Sequence, residues 1–196
     1  MTKGLLTVGA IALALGVMID AQGRRPASPA GAVATQIGQS WIEITYGRPI
    51  LRGRSSIFGS GADYGVTLND GGPVWRAGAN NTTQLTNEVP LEIGGKRVPP
   101  GDHALLIELR SPSEWTLIVS DQARQRTYDR QNTTALWGGY NYAPDRDVTR
   151  APMKVEAIPF SVEQLTWGFT DVTATGGTMR IWWDKTMASV PFRVVQ

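Results

Sequence analysis

The sequence predicts an all-β fold, an antiparallel β-sandwich of jelly-roll-like form. Two observations lead to this prediction. Short runs of apolar and polar residues in alternation follow one another along the chain, and clusters of Gly, Pro and Ser separate them. No long helical pattern occurs among these runs. Eight or nine short strands joined by turns are typical of an antiparallel sandwich or a related closed sheet.

The clearest strand signals lie in the first half of the domain. In the first predicted strand, Ile42, Ile44 and Tyr46 alternate and so share one face. The pair Gly94-Gly95 separates two extended runs, and glycine accepts the positive φ that a tight hairpin needs. Pro- and Ser-rich turns bound the next two runs. The strands predicted in this half are Trp41–Tyr46, Leu91–Ile93, Lys96–Val98, His103–Leu109 and Trp115–Ser120.

The second half begins with a polar interruption and then returns to strand signals. Ser120–Leu136 is polar along most of its length, and we interpret it mainly as an exposed loop with room for a short helix. Leu165, Trp167 and Phe169 alternate, and the pair Gly176-Gly177 predicts a second tight turn. The strands predicted here are Met153–Ile158, Val162–Thr170, Thr178–Trp183 and Val190–Val195.

The first 21 residues predict export. Lys3 is followed by an uncharged apolar run, Leu5–Ile19, and a basic start before such a core is the pattern of a secretory signal. At about 1.5 Å per helical residue the run is somewhat short for a hydrocarbon layer of about 30 Å. The cleavage site at Ala21 is weak, because Ile19 is bulky for a small-x-small pattern. Residues 1–21 are therefore predicted as a signal peptide or a retained N-terminal membrane anchor.

Composition divides the rest of the chain and limits its partners. Residues 22–39 are rich in Pro, Ala, Gly and Ser, so we predict a flexible tether there and a single domain at 40–196. The net charge is +2 with no lysine-rich block, which does not favour nucleic acid as a partner. The chain has no cysteine, so it uses neither disulfides nor a thiol nucleophile.

Arginines near turns are the first group of candidate binding residues. Guanidinium groups hold carboxylates and phosphates by two parallel hydrogen bonds. The alternative is structural: each arginine pairs with a carboxylate such as Glu43, Glu88 or Asp147, or donates to loop carbonyls. We favour the structural interpretation. The arginines concerned are Arg48, Arg52, Arg54 and Arg76.

Aromatic residues form the second group. Trp137, Tyr140 and Tyr142 lie in a glycine-rich stretch, where they suit a stacking platform for a sugar ring or an anchor at a protein interface. The spacing of the two tyrosines also fits one face of a core strand, which we favour. Trp182 and Trp183 are adjacent, so in a strand one of them leaves the core. The full set of candidate binding residues is Tyr46, Arg48, Arg52, Arg54, Trp75, Arg76, Asn80, Trp137, Tyr140, Tyr142 and Trp183.

The residues offer little material for catalysis. His103 is the one histidine in the sequence, so a histidine metal cluster or a serine triad is not predicted, and neither is a cofactor. A lone histidine on an apolar strand is more often structural than catalytic. The sequence therefore does not argue for an enzyme.

Several linked motifs, in a fixed order, resemble one bacterial family. The motifs are YGRP (46–49), RGR (52–54), IFG (57–59), VWRAGAN (74–80), GGKRVPPG (94–101), EWTLIVS (114–120), WGGYNY (137–142) and DVTR (147–150). The chain resembles the uncharacterised secreted bacterial proteins known as domain of unknown function 2911, from about Thr45 to Val195. The resemblance implies a β-rich fold and export to the bacterial periplasm, but it implies no activity.

We therefore expect an exported module that works by binding. The first hypothesis is a non-catalytic accessory subunit, tethered to the membrane by its N-terminal helix and docked on a membrane protein complex. The second is a soluble periplasmic module that binds a small ligand such as a glycan. An enzyme of unknown reaction is the third.

Overall fold

A computed structural model describes residues 27–195 of the chain. The predicted signal or anchor at residues 1–21 lies outside the described residues. Within the described part, no helix has both the length and the apolar character needed to cross a membrane. The predicted all-β antiparallel fold is confirmed.

Nine strands form one continuous antiparallel sheet in the described residues. They are β1 (Ala30–Ile37), β2 (Ser40–Gly47), β3 (Thr83–Asn87), β4 (Leu91–Ile93), β5 (Lys96–Val98), β6 (Gly101–Ser111), β7 (Glu114–Ser120), β8 (Asp147–Thr173) and β9 (Gly176–Val194). Their order across the sheet is β1-β2-β3-β6-β7-β8-β9-β4-β5. A short helix, α1 (Val66–Asn69), and two single 3₁₀ turns (Gly61–Asp63 and Pro144–Arg146) complete the described elements.

The β8–β9 hairpin folds back on itself and makes the sheet sandwich-like. Its register shifts between Ala157 and Val162, and Asp184 on the opposite strand has a φ of 50°, so bulges bend both strands. The Val194 amide donates to the Thr175 carbonyl at 2.9 Å, although an unbent strand of 19 residues would span about 60 Å. The hairpin therefore curls back until the two ends of β9 lie side by side.

Apolar side chains pack on both faces of β6. Leu105 and Ile107 belong to the main core. Ala104 and Leu106 point outward and belong to a second, smaller cluster, together with Ile118 of β7. Leu136, from the long polar segment after β7, completes this second cluster. The segment therefore packs over the outer face of the sheet.

The prediction of a tether through residue 39 is wrong from Ala30 onward. Ala30–Ile37 forms β1, which pairs with β2 along its whole length. Val33 and Ile37 pack against the main core. Small alanines and glycine gave this segment the composition of a linker, but pairing with an apolar neighbour supplies the order that its composition lacks. The folded domain begins before Ser40.

Three further strand predictions need correction. Met153–Ile158 and Val162–Thr170 belong to the single strand β8, and the last two predicted strands are joined in β9. Gly176-Gly177 does not form the turn: the turn lies at residues 174–175, and the glycines begin β9. A Cβ atom on Gly176 would lie 2.3 Å from the Phe192 carbonyl oxygen, so close packing, not turning, requires this glycine.

Candidate functional site

The segment between β7 and β8, residues 121–146, is a loop held by buried side-chain amides; we call it the braced loop. The Gln122 amide donates to the carbonyls of Thr134 at 2.8 Å and Asn141 at 2.6 Å. The Gln125 amide donates to the carbonyl of Ala135 at 3.0 Å. Both glutamine side chains are buried. Because these amides satisfy backbone groups inside the loop, the loop holds one shape without regular secondary structure.

A second set of polar contacts ties the end of the braced loop to the sheet. The Tyr142 hydroxyl donates to Asp147 at 2.6 Å and accepts a hydrogen bond from Arg150 at 2.8 Å. Arg150 also donates to Glu108 of β6 at 2.6 Å. Burial and the neighbouring Asp147 carboxylate raise the pKa of Tyr142. Tyr142 therefore fixes the loop, and its hydroxyl is already engaged.

The braced loop carries an aromatic depression, formed by Tyr128, Trp137 and Tyr140. The depression has a volume of about 320 Å³. Tyr128 is 57% exposed and Tyr140 38% exposed, and the rings of Tyr128 and Trp137 lie 5.6 Å apart at 45°. Its polar lining residues are Asp129, Arg130, Asn132, Thr133 and Asn141. The site thus presents aromatic rings within a polar rim.

A tight turn places Trp137 and Tyr140, so the prediction that Tyr140 and Tyr142 share the face of a strand is wrong. The Tyr140 amide donates to the Trp137 carbonyl at 3.0 Å. Gly138 has a φ of 62°, which favours glycine. A Cβ atom on Gly139 would lie 2.1 Å from the Val74 carbonyl oxygen. The glycine pair therefore both makes the turn and lets it pack against the chain at Val74.

Four predicted site residues meet at this turn. Arg76 donates to Asp70 at 2.7 Å and to the Asn80 carbonyl at 2.9 Å, and its guanidinium packs over Gly138. The Tyr140 hydroxyl donates to the Asp70 carbonyl. The structure thus brings Arg76, Asn80, Trp137 and Tyr140 into one neighbourhood, although the sequence separates them by up to 64 residues.

Arg76→Ala should lower the free energy of unfolding by about 1–3 kcal/mol. The side chain is mostly buried, and its loss leaves the Asn80 carbonyl without its donor. Urea unfolding measures the change. The matched control is Arg110→Ala, whose exposed ion pairs with Glu108 and Glu114 contribute at most about 1 kcal/mol. Unchanged stability in Arg76→Ala would contradict its structural role and leave ligand binding as its function.

The other predicted arginines donate to backbone carbonyls. Arg54 reaches the Ile50 carbonyl at 2.8 Å and the Leu51 carbonyl at 3.1 Å. Arg48 reaches the Leu165 carbonyl at 3.4 Å, and Arg52 reaches that of Ala27 at 3.4 Å. These contacts agree with the structural interpretation. The carboxylate that pairs with an arginine of this group is Asp70, not one of those suggested by the sequence.

Three predicted binding aromatics lie in the main core instead of on a surface. Tyr46, Trp75 and Trp183 are all buried. Trp75 and Trp183 stack with ring centroids 6.2 Å apart, and Arg54 lies 5.8 Å from the centre of the Trp183 ring. Of the adjacent tryptophans, Trp182 is the partly exposed one and packs over Gly168. The sequence identified the pair correctly but assigned Trp183 to the wrong face.

The braced loop also borders a second, larger concavity, which we call the strand cleft. It has a volume of about 840 Å³ and is bounded by β1, β2, the chain at 79–82 and the loop at 124–126. Tyr46 and Asn80 are the two predicted site residues that line it. Arg124, Arg126 and Asp102 supply its charges.

One protein family matches nearly all of the residues described above. A profile of the family described as "Protein of unknown function (DUF2911)" matches residues 28–192. The chain belongs to this family. The DUF2911 match includes β1 and the whole braced loop, and it begins before Ser40, as the corrected domain boundary does. No curated protein and no solved structure matches the chain.

The sequence interpretation missed three residues that line these sites in the DUF2911 domain. Tyr128, Arg124 and Arg126 lie in the segment that we predicted as an exposed loop. The sequence does distinguish Tyr128, because it is the only aromatic residue between Trp115 and Trp137. A single large ring in a polar loop either anchors the loop or serves a partner.

The described residues of this DUF2911 domain also bear on metal binding and on His103. They include no group of three or more His, Cys, Asp or Glu residues that could hold a metal ion. His103 is buried on β6, with its Nε2 2.9 Å from the Pro99 carbonyl oxygen. The neighbouring Asp102 is exposed on the opposite face, where it accepts a hydrogen bond from Thr86. These two side chains do not form an acid–base pair.

Proposed function

We propose that this chain is a non-catalytic, exported binding module that docks on a protein partner in a membrane complex through the aromatic depression. The observation that carries the proposal is a pair of exposed tyrosines on a loop that is itself rigid. Tyr128 and Tyr140 are accessible, while buried glutamine amides fix the backbone that presents them. Such a surface needs little ordering when a partner binds.

The composition of the depression favours a protein partner. Tyrosine, tryptophan and arginine are the residues that most often contribute large binding energies at protein interfaces. Tyr128, Trp137 and Tyr140 supply the rings, and Arg130 lies at the rim. Most of the other candidate aromatics and arginines are engaged inside the fold, whereas Tyr128 and Tyr140 are exposed together in one depression.

The corrected domain boundary supports a position close to the membrane. Because β1 begins at Ala30, the chain between the predicted anchor (residues 1–21) and the domain shortens to residues 22–29. Eight residues reach at most about 28 Å. A retained anchor would therefore hold the domain near the bilayer surface, within reach of the extramembrane part of a membrane complex.

A glycan is the second candidate occupant of the same depression. Its volume of about 320 Å³ lies at the lower end of the range for small-molecule sites. Aromatic faces beside amide and carboxylate groups, here Asn132, Asn141 and Asp129, suit a ring that bears hydroxyl groups. In this case the module would act on a small ligand and not on a protein.

The double variant Tyr128→Ala/Arg130→Ala tests the proposal. Native membranes solubilised in mild detergent and separated by size should show the wild-type chain in a complex far larger than its own 21.3 kDa. The double variant should leave that complex, because both side chains belong to the docking surface. The matched control Phe160→Ala removes an equally exposed ring at the β8 bend and should stay in the complex.

Three outcomes contradict docking at this surface: a wild-type chain that migrates alone, a double variant that stays in the complex, or loss of the complex in Phe160→Ala as well. Titration of the purified chain with neutral monosaccharides separates the second candidate. Saturable binding of a sugar that Tyr128→Ala abolishes would favour the glycan site.

A further inference from the structure

Two arginines in the strand cleft have no hydrogen-bond or ion-pair partner within residues 27–195, unlike most other arginines there. Arg124 and Arg126 lie two residues apart in the braced loop, and both line the cleft. Neither guanidinium makes a hydrogen bond or an ion pair within 4 Å among the described residues. By contrast, Arg54 and Arg76, which also lie beside loops, each donate to two acceptors. The cleft thus presents two cations with unused donors.

Most of the strand residues that line the cleft have short side chains. Ala30 and Ala32 of β1 and Thr45 of β2 are short, and Gln84 of β3 is the longer one. Asn80 and Asn81, between α1 and β3, also line the cleft. Short side chains leave the cleft open to a volume of about 840 Å³, enough for a ligand of several ring atoms and their substituents. The space is therefore shaped for a small molecule.

The balance of charge in the cleft favours an anion. Asp102 is the one carboxylate among the described lining residues, against two guanidinium groups. Its Oδ1 atom accepts a hydrogen bond from Thr86 at 2.7 Å, and Thr86 accepts one from Gln84 at 2.7 Å. Asp102 is thus partly engaged by the sheet and does not neutralise both arginines.

Arg124 is the more enclosed of the two cations. Burial lowers its pKa, the Arg126 charge lowers it further, and the Asp102 carboxylate opposes both effects. A partly buried cation that has no ion pair keeps part of its desolvation cost. A bound oxyanion would remove that cost and accept charge-assisted hydrogen bonds from the guanidinium fork.

We propose that the strand cleft is a binding site for a small ligand that carries a carboxylate or phosphate group, held by Arg124 and Arg126. The rest of the ligand lies over Thr45 and Gln84, whose polar groups suit hydroxyl substituents. This site is independent of the docking surface, because the aromatic depression uses other residues of the braced loop. Either proposal stands if the other fails.

Calorimetric titration of the purified full-length chain tests the site with three probes: sodium phosphate, D-glucuronate and D-glucose. Phosphate and glucuronate should bind saturably, and neutral glucose should not. Tighter binding of glucuronate than of phosphate would identify a sugar acid as the ligand class. Tighter binding of phosphate would identify a phosphate ester. Either result supports an oxyanion site.

Arg124→Gln/Arg126→Gln should weaken anion binding at least tenfold, because both charge-assisted contacts are lost. Arg126→Gln alone should weaken it less, and this exposed change keeps the test valid if the double variant does not fold. The matched control Arg110→Gln removes the same charge outside the cleft and should bind as the wild type does. No anion binding up to about 10 mM, or equal weakening by all three variants, would overturn the proposal.

Discussion

Trp75→Ala should lower the free energy of unfolding by about 3–5 kcal/mol, the largest single loss that we expect in the core. The side chain is only 1% exposed, and its ring packs against Phe58, Trp115 and Trp183. Its backbone also forms a two-way hydrogen-bonded bridge to Ile107 of β6. Removing the ring leaves a cavity that its three aromatic neighbours cannot fill without losing contacts of their own.

Urea unfolding followed by tryptophan fluorescence and circular dichroism measures this loss. The matched control is Trp41→Ala, which removes the same ring from a position that is 49% exposed and should cost less than about 1 kcal/mol. Equal stability of Trp75→Ala and the wild type would contradict the core position of Trp75 and restore it as a binding residue.

Gly139→Ala should cost about 3 kcal/mol, because the new Cβ atom would lie 2.1 Å from a backbone carbonyl oxygen, that of Val74. Neither partner is the end of a flexible side chain, so the turn itself has to move. The movement should displace Trp137 and Tyr140, and the variant should therefore also leave the complex that the wild type joins.

Gly53→Asn is the matched control for this glycine. Gly53 has a φ of 77° and no atom near its added Cβ, and asparagine tolerates the left-handed region. We expect a change of less than about 1 kcal/mol and no effect on docking. Comparable losses at both glycines would show that the Gly139 contact is not what fixes the turn.

Local patterns predicted the strands whose burial alternates. β2 follows from Ile42 and Ile44, which both point into the core, and the β4–β5 hairpin follows from Gly94-Gly95 with φ angles of 59° and 76°. Each of these patterns lies within a few consecutive residues, and the folded chain keeps the strand or turn that the pattern predicts. The hairpin and these strands were therefore predictable from the sequence.

β1 and β3 were not predictable in the same way. β1 consists mainly of small residues, and β3 (TQLTN) contains Leu85 as its one apolar residue. Thr83 and Asn87 are buried all the same: the Thr83 hydroxyl donates to the Ala77 carbonyl, and the Asn87 amide nitrogen donates to the Val89 and Pro99 carbonyls. Both strands are stabilised by pairing with segments that are distant in the sequence. A local sequence pattern gives no information on such pairing.

The candidate site was predictable in part. Arg76, Trp137 and Tyr140 stood out as glycine-flanked aromatic and arginine residues, and the fold brings them together. Which ring faces outward depends on which side of the sheet is covered, so Trp75 and Trp183 were assigned wrongly. Tyr128 was missed because the buried amides that present it belong to residues that look like an ordinary polar loop.

The most direct test of docking places a photo-crosslinking amino acid at Tyr128 in native membranes. We expect one discrete crosslinked product, larger than 21.3 kDa, that contains an identified subunit of a membrane complex. The same group at Val66, which is also exposed but outside the aromatic depression, should give no such product. Equal crosslinking at both positions, or no product at Tyr128 when the chain is present in the membrane, would contradict docking through the aromatic depression.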